Sequence, residues 1–335
     1  MSPDFKRLDL KNAAERTFLP LWSLMTVTRR QHYVWRHYLS AWETDGTVSV
    51  LRKGHPVFAS NPINIAVERD FYRLPVVSRD DEAFARLFIE QTIKAKMLRD
   101  LALGWLNDFT APSRLRRSLE AQGVQDAEII PEIERIEIQS EECLHSSTES
   151  SVLPLLEALR SGSQDIWNND QNAMDLAFFL ALQHLRTKNM QHRTISAFGA
   201  GPTCERVKNI WPIFRLVFAT TIGWSLYSER ENWRLRILNA QADLAFITGD
   251  QPTINLLKGG DHYDLALYYP VSPARATVLE AKHLPSAIGP DDNLTDGTVS
   301  DLNARIFAAS HEQVFGNSAR SLEKVVGYSE PTKRS

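Results

Sequence analysis

Cysteine is almost absent from this sequence. The two present, Cys143 and Cys204, stand far apart and form no CxxC pair. A disulfide framework and a cysteine-built zinc site are therefore not expected, and a reducing cytosol is the compartment that suits the chain. HExxH and HxH spacings are also missing. No phosphate loop of the form GxxxxGK[ST] occurs, and no GxSxG elbow that would present a nucleophilic serine. Gly199–Val207, GAGPTCERV, comes nearest to a dinucleotide fingerprint, but Pro202 and Cys204 break the pattern and leave a glycine-pair turn, read as a loop, before a helix start. Long apolar runs are missing as well. The longest, IWPIFRLVFATTIGWSL from Ile210, is cut by Pro212 and Arg215, so no membrane span is expected. The first 30 residues carry Asp4, Lys6, Arg7, Asp9, Lys11, Glu15 and Arg16 and lack the apolar core of a signal peptide. Charge of one sign is scarce: 38 Lys and Arg face 41 Asp and Glu. Binding nucleic acid by bulk charge is disfavoured, while a local basic groove stays open.

What is present is an ordinary globular composition, 43% hydrophobic and 24% charged. Residues 1–30 show little periodicity and read as an N-terminal extension. Gln31–Gly54, QHYVWRHYLSAWETDGTVSVLRKG, is rich in aromatic and β-branched residues and contains Asp45-Gly46, which predicts a β-hairpin. A helical period runs from Arg79 to about Leu106, with Asp80 or Asp81 as its cap. A second helix is expected from Pro112-Ser113 to Gly123. The acids Glu128, Glu132, Glu134, Glu137, Glu141 and Glu142 read as the wet face of helices. AMDLAFFLALQHL is apolar nearly all round and marks a buried helix. Beyond it, NWRLRILNAQADLAFITGDQPTINLL and YDLALYYPVSPARATVLEA alternate as strands. VSDLNARIFAASHEQVFG closes as a helix capped by Ser300 or Asp301. The expected class is α+β: an antiparallel sheet of the N-terminal hairpin and C-terminal strands, packed against a largely helical middle. The expected organisation is one domain over 31–326, with its helical insertion at about 79–226 and a loose tail at 327–335.

Several segments carry polar groups next to apolar runs. In QHYVWRHYL, Gln31, His32, Arg36 and His37 stand among aromatics. On a strand His37 would face away from His32. FITGDQPTI ends a strand at Thr248-Gly249 and places Asp250 before a rigid turn, a position that suits a catalytic or ligand-binding carboxylate. Asp250 could equally bond backbone amides as a turn residue. ALQHLRT puts Gln183, His184 and Arg186 at a helix end. Arg186 needs a carboxylate or an anion if buried, or it complements the helix dipole. Ser272, in YYPVSPARA, lacks an elbow and suits a positioning hydroxyl.

In this order, QHYV with Tyr38-Leu39, ALQHLRT, FITGDQPT, YYPVSP and DLNARIFAAS resemble the family of unknown function numbered 4238, over about Gln31–Gly316. Trp35 and Lys188 stand where that family's pattern has proline, and GDQPT replaces an SDNPV-like turn. The resemblance keeps His32, Gln183, Arg186, Asp250, Ser272 and Asn303 as polar positions. It implies relatives in bacteria and fungi, with bacterial ones near mobile and defence genes, and carries no activity over.

Two functions of different class remain open. The first is a hydrolase directed at nucleic acid or nucleotides, a defence or toxin effector in one version. His32 would be its general acid or base, and Asp250 the orienter or metal ligand. Gln31, Gln183, Arg186, Ser272 and Asn303 would bind substrate. Mg²⁺ held by scattered carboxylates stays open as its cofactor. The second is a non-catalytic binding or scaffold module, in which the same residues form a buried network and the partner is a protein. Exposure separates the two. Elemental analysis of the purified chain should find no stoichiometric zinc; one zinc per chain would contradict the spacing argument.

Overall fold

The computed structural model of the chain describes residues 27–123, 129–241, 243–257 and 264–329. The expected extension up to residue 26, Glu128 and the end of the tail lie outside these. The elements in order are β1 (Arg30–His32), α1 (Arg36–Leu39), β2 (Val48–Arg52), β3 (Phe58–Ser60) and β4 (Val67–Arg69), followed by α2 (Arg79–Thr92), α3 (Lys96–Ala121), α4 (Ile129–Ser161), α5 (Asp170–Leu185), α6 (Lys188–Ala197) and α7 (Pro202–Ser228). Then come β5 (Trp233–Ala240), β6 (Thr248–Gly249), β7 (Ile254–Asn255), β8 (Ala266–Pro270), β9 (Arg275–Ala281), β10 (Asn293–Leu294), α8 (Asp296–Ala309), β11 (Gln313–Gly316) and α9 (Ala319–Ser329). The class is α+β. The described residues divide into two compact units: those within 27–31, 69–150 and 205–217 form the first, and those within 32–68, 151–204 and 218–329 the second.

The first unit is helical. Ser78 caps α2 by accepting from the Asp81 amide, in place of the expected Asp80 or Asp81. The helix expected to reach 106 breaks after Thr92, and α3 runs straight through Pro112, which was expected to start a helix. Phe109 and Pro112 are buried there, and Ser113 Oγ accepts from the Val77 amide, so packing overrides the proline. Glu137 and Glu141 correct the expectation of a wet face, because both are buried. Their spacing with His145, four and four, turns all three inward. Glu137 accepts two bonds from Arg116, at 2.6 and 2.9 Å. Glu141 pairs with Arg215 and lies 3.2 Å from His145 Nε2. Burial pushes the Glu141 carboxyl up, but Arg215 and His145 outweigh it and hold it below the usual carboxylate value. Paired charges of this kind can be buried where single ones cannot.

The second unit holds two sheets. One is antiparallel with strand order β3-β2-β11-β6, so N-terminal and C-terminal strands share it. Phe315 sits opposite both Val50 and Thr248. The other has the order β10-β5-β9-β8-β7, with β10 parallel to β5 and the remaining pairs antiparallel. The strand around Tyr268 was expected beside the N-terminal strands and lies instead in this second sheet. α8 begins at Asp296, capped by Thr295, earlier than the expected Ser300 or Asp301. Leu51, Phe246, Tyr268, Val278, Ile306, Val314 and Leu322 share one apolar core that both sheets and α8 and α9 line.

The expected hairpin over Gln31–Leu51 is corrected. Its turn exists: Asp45 and Gly46 take φ of 51° and 76°, and Thr44 and Thr47 exchange both backbone bonds. Its first arm is a helical turn. Val34, Tyr38 and Trp42 recur every four residues and all are buried, as is Leu39. The Tyr38 and Trp42 rings meet edge to face with centroids 5.1 Å apart. His37, expected on a strand face, therefore lies on this helix and is half exposed.

α5 is buried almost all round, as its sequence implies. It approaches α7 closely, because a Cβ on Gly223 would sit 2.8 Å from the Phe178 Cα. Gly223→Ala should therefore lower the melting temperature by several degrees. Gly104→Ala, on a helix with no atom within 4 Å of its Cβ position, should leave it unchanged or raise it. Calorimetry on the two variants checks the close approach; equal effects would contradict it.

Candidate functional site

β6 ends at Gly249, and the chain turns at Asp250-Gln251-Pro252 into β7. α8 ends at Ala309 and turns through Ser310–Glu312 into β11, the neighbour of β6. The two turns lie against each other. A Cβ on Gly249 would fall 2.0 Å from Ser310 Oγ and 3.2 Å from the Gln313 carbonyl, so only glycine admits this approach without moving Ser310.

Asp250 reaches across. Its Oδ1 accepts from the His311 amide at 2.6 Å, and its Oδ2 from the Glu312 and Gln313 amides at 2.7 and 2.9 Å. The Asp250 amide donates back to the Gln313 carbonyl at 3.0 Å. The side chain is 2% exposed. Burial pushes its carboxyl up from the ordinary value, while the three amides and nearby His311 pull it down against that. Lys53 holds the same turn from the other side. Its amide donates to the Glu312 carbonyl and its Nζ to that of Ser310. Asn189 Nδ2, from α6, donates to the Ala309 carbonyl at 2.8 Å.

Gln251 links this knot to the end of α5. Its Nε2 donates to the carbonyls of His184 and Thr253, at 3.0 and 2.7 Å, and its Oε1 accepts from Thr187 Oγ1. His184 Nδ1 lies 3.0 Å from the Thr253 carbonyl, which can only accept, so Nδ1 carries the proton. Burial lowers the His184 pKa, with the Thr253 bond opposing. Thr187 also caps α6. Arg186 is the buried C-cap residue of α5, and its amide donates to Leu182. Gln183 is buried one turn before it, and its Nε2 has no partner among the described residues.

The remaining candidates are placed as follows. Asn303, on α8, accepts from the Ile247 amide at 3.0 Å and donates to the Ala245 carbonyl at 2.9 Å, fixing the approach to β6. Tyr33 OH accepts from Gln313 Nε2 at 2.9 Å, and the Lys188 ammonium lies over its ring, 4.8 Å from the centroid. His32, just before it, is half-buried at the end of β1. Ser272 sits in the β8–β9 turn, where its Oγ accepts from the Arg275 amide at 3.0 Å. Gln31 belongs to the first unit. Its Nε2 donates to the Ile138 carbonyl at 2.9 Å and its Oε1 accepts from the Tyr72 amide at 2.7 Å. The segments around Asp250, Gln183 and Asn303 thus converge, while Ser272 and Gln31 serve other places. Gln313, Lys53 and Thr187 went unrecognised from sequence. Gln251 beside Asp250 was the one available signal, since two polar residues before a proline at a buried strand end both need partners. Among the described residues no group of three or more His, Cys, Asp or Glu is placed to hold a metal ion. No helix among them is long and apolar enough to cross a membrane.

These features define an α+β protein whose sheet edge, α5 end and α8 end are joined by buried polar side chains. The chain belongs to the family described as protein of unknown function (DUF4238), whose model matches residues 30–200. That span includes QHYV and ALQHLRT and stops before Asp250, Ser272 and Asn303. No curated protein and no solved structure matches the chain.

His184 gives the site a pH signature. Its folded pKa is lowered from 6.5, so below about pH 6.5 the unfolded chain takes up the proton more readily. Stability should fall as pH falls through that value. In His184→Asn, which can keep a donor to Thr253 and cannot titrate, melting curves between pH 7 and 5 should show a shallower fall. An unchanged slope would contradict a buried neutral His184.

Proposed function

We propose that the side chains around Asp250 form a structural polar network and that the chain is a non-catalytic binding or scaffold module. The observation that carries this is the carboxylate of Asp250: both oxygens are engaged by three backbone amides and the group is sealed from solvent. A general base or a metal ligand must offer a lone pair to the substrate or ion. Three of the roughly four acceptor positions of a carboxylate are already taken here. Gln251 is satisfied by two backbone carbonyls and the Thr187 hydroxyl, and Asn303 by backbone groups of the segment entering β6. Networks that are fully bonded and buried specify a fold, and losing one member leaves several groups unpaired. The hydrolase reading, with His32 as acid or base, Asp250 as orienter and Mg²⁺ as cofactor, has less support, because it needs Asp250 to open into a cleft.

Asp250→Asn tests this. The new amide group would face backbone donors, and at least two charge-assisted bonds of about 1.5–3 kcal/mol each would be lost. The melting temperature should fall by about 5 °C or more. The wild-type chain should show no hydrolysis of single-stranded nucleic acid or nucleoside triphosphates, with or without Mg²⁺. Turnover by wild type that Asp250→Asn abolishes at an unchanged melting temperature would overturn the proposal.

A further inference from the structure

Within the second unit, and apart from the Asp250 network, lies an open pocket of about 280 Å³ lined by Arg36, His37, Ser40, Glu43, Asn61 and Pro62. We propose that this pocket binds a small zwitterion, an α-amino acid or dipeptide, with Arg36 taking its carboxylate and Glu43 its ammonium group.

The placement follows from the helical turn that replaces the expected strand. Arg36, Ser40 and Glu43 are spaced four and three residues apart across α1 and the 3-10 turn Ser40–Trp42 that follows it. That spacing puts them on one face. The opposite face, with Tyr38, Leu39 and Trp42, is buried in the core, so the polar face cannot rotate away. Arg36 and Glu43 are both exposed, and neither makes an ion pair among the described residues. They stand seven positions apart across a four-residue α-helix and a three-residue 3-10 turn, about 12 Å along the axis. They present opposite charges to one cavity without neutralising each other.

The other walls are fixed. Asn61 Oδ1 accepts from the Ile63 amide at 3.0 Å, and its Nδ2 donates to the Gly46 carbonyl at 3.3 Å. Ser40 Oγ donates to the His37 carbonyl at 2.7 Å, leaving its lone pairs available. His37 Nε2 lies 3.0 Å from Glu157 Oε1, which also accepts from Arg160 Nη1 at 2.7 Å. Arg160 Nη2 donates to the Tyr38 carbonyl at 3.0 Å, so α4 anchors the turn from behind. With Nε2 turned to Glu157, His37 has Nδ1 left for a ligand.

Size and charge then choose the ligand class. A volume just below the usual range for drug-sized sites suits a metabolite rather than a polymer. A simple anion would meet Glu43 and a simple cation would meet Arg36. A molecule bearing both charges satisfies both groups.

The experiment is isothermal titration of the full chain with free L-amino acids and dipeptides. Acetate, inorganic phosphate and ethylammonium serve as single-charge controls. At least one zwitterion should bind saturably at one site, and each control should bind at least about tenfold more weakly. Arg36→Ala and Glu43→Gln should each weaken zwitterion binding at least about tenfold, the scale of one lost charge-assisted hydrogen bond, with melting temperatures unchanged. Arg36→Lys, which keeps the charge and loses the planar fork, should fall between Arg36→Ala and wild type. Failure of every zwitterion to bind, binding that survives both substitutions, or a single-charge control binding as tightly as the zwitterion would overturn the proposal. None of these outcomes depends on the role of Asp250.

Discussion

The bond between one carboxylate and three consecutive amides organises the second unit. Asp250 follows strand β6, and the amides of His311, Glu312 and Gln313 lead into strand β11. β6 is only two residues long, and its ladder to β11 is correspondingly short. A sheet edge that brief has little hydrogen bonding of its own. The side chain adds to the ladder and fixes the register at the same time, because the amides it caps immediately precede and begin β11. Burial still holds the Asp250 carboxyl above its ordinary value, and the three bonds offset part of that desolvation.

Other features of the unit depend on this junction. Gly249 must lack a side chain so that the two turns can meet, and Ser310 occupies the space that a Cβ would need. Lys53 and Asn189 satisfy the carbonyls of the capped turn from β2's end and from α6. Asn303 holds the segment that enters β6, and Gln251 holds the one that leaves it. Each of these is a polar side chain bonded to backbone, the usual way irregular buried backbone is satisfied. The first unit solves the same problem differently, with ion pairs. Arg116 and Arg215 each bring a guanidinium to a buried glutamate on α4.

Much of this was legible in the sequence, and the failures have definite causes. The α+β class followed from the shift of period between the middle and the end of the chain. Asp250 stood out because a polar residue beside an apolar run needs partners when buried, whereas Asn303 was pointed to by the family resemblance. Their partners are backbone amides and carbonyls of distant segments, which no side-chain pattern announces, so Gln313 and Lys53 went unseen. QHYVWRHYL read as a strand because its aromatics favour strands. The four-residue spacing of Val34, Tyr38 and Trp42 was the stronger signal, since it is what lets all three reach the core together. Glu137 and Glu141 read as solvent-facing because acidic residues usually are. Only their arginine partners, both on other helices and one far along the chain, reverse that expectation.

The bond between Asp250 and the β11 entrance can be observed without altering the protein. Amide hydrogen exchange, resolved at His311, Glu312 and Gln313, reports whether these three donors are held. The three amides should exchange as slowly as those of the central strand β9, although His311 and Glu312 lie in a connection and only Gln313 in a strand. Exchange at the rate of an unprotected loop would contradict the central role of Asp250.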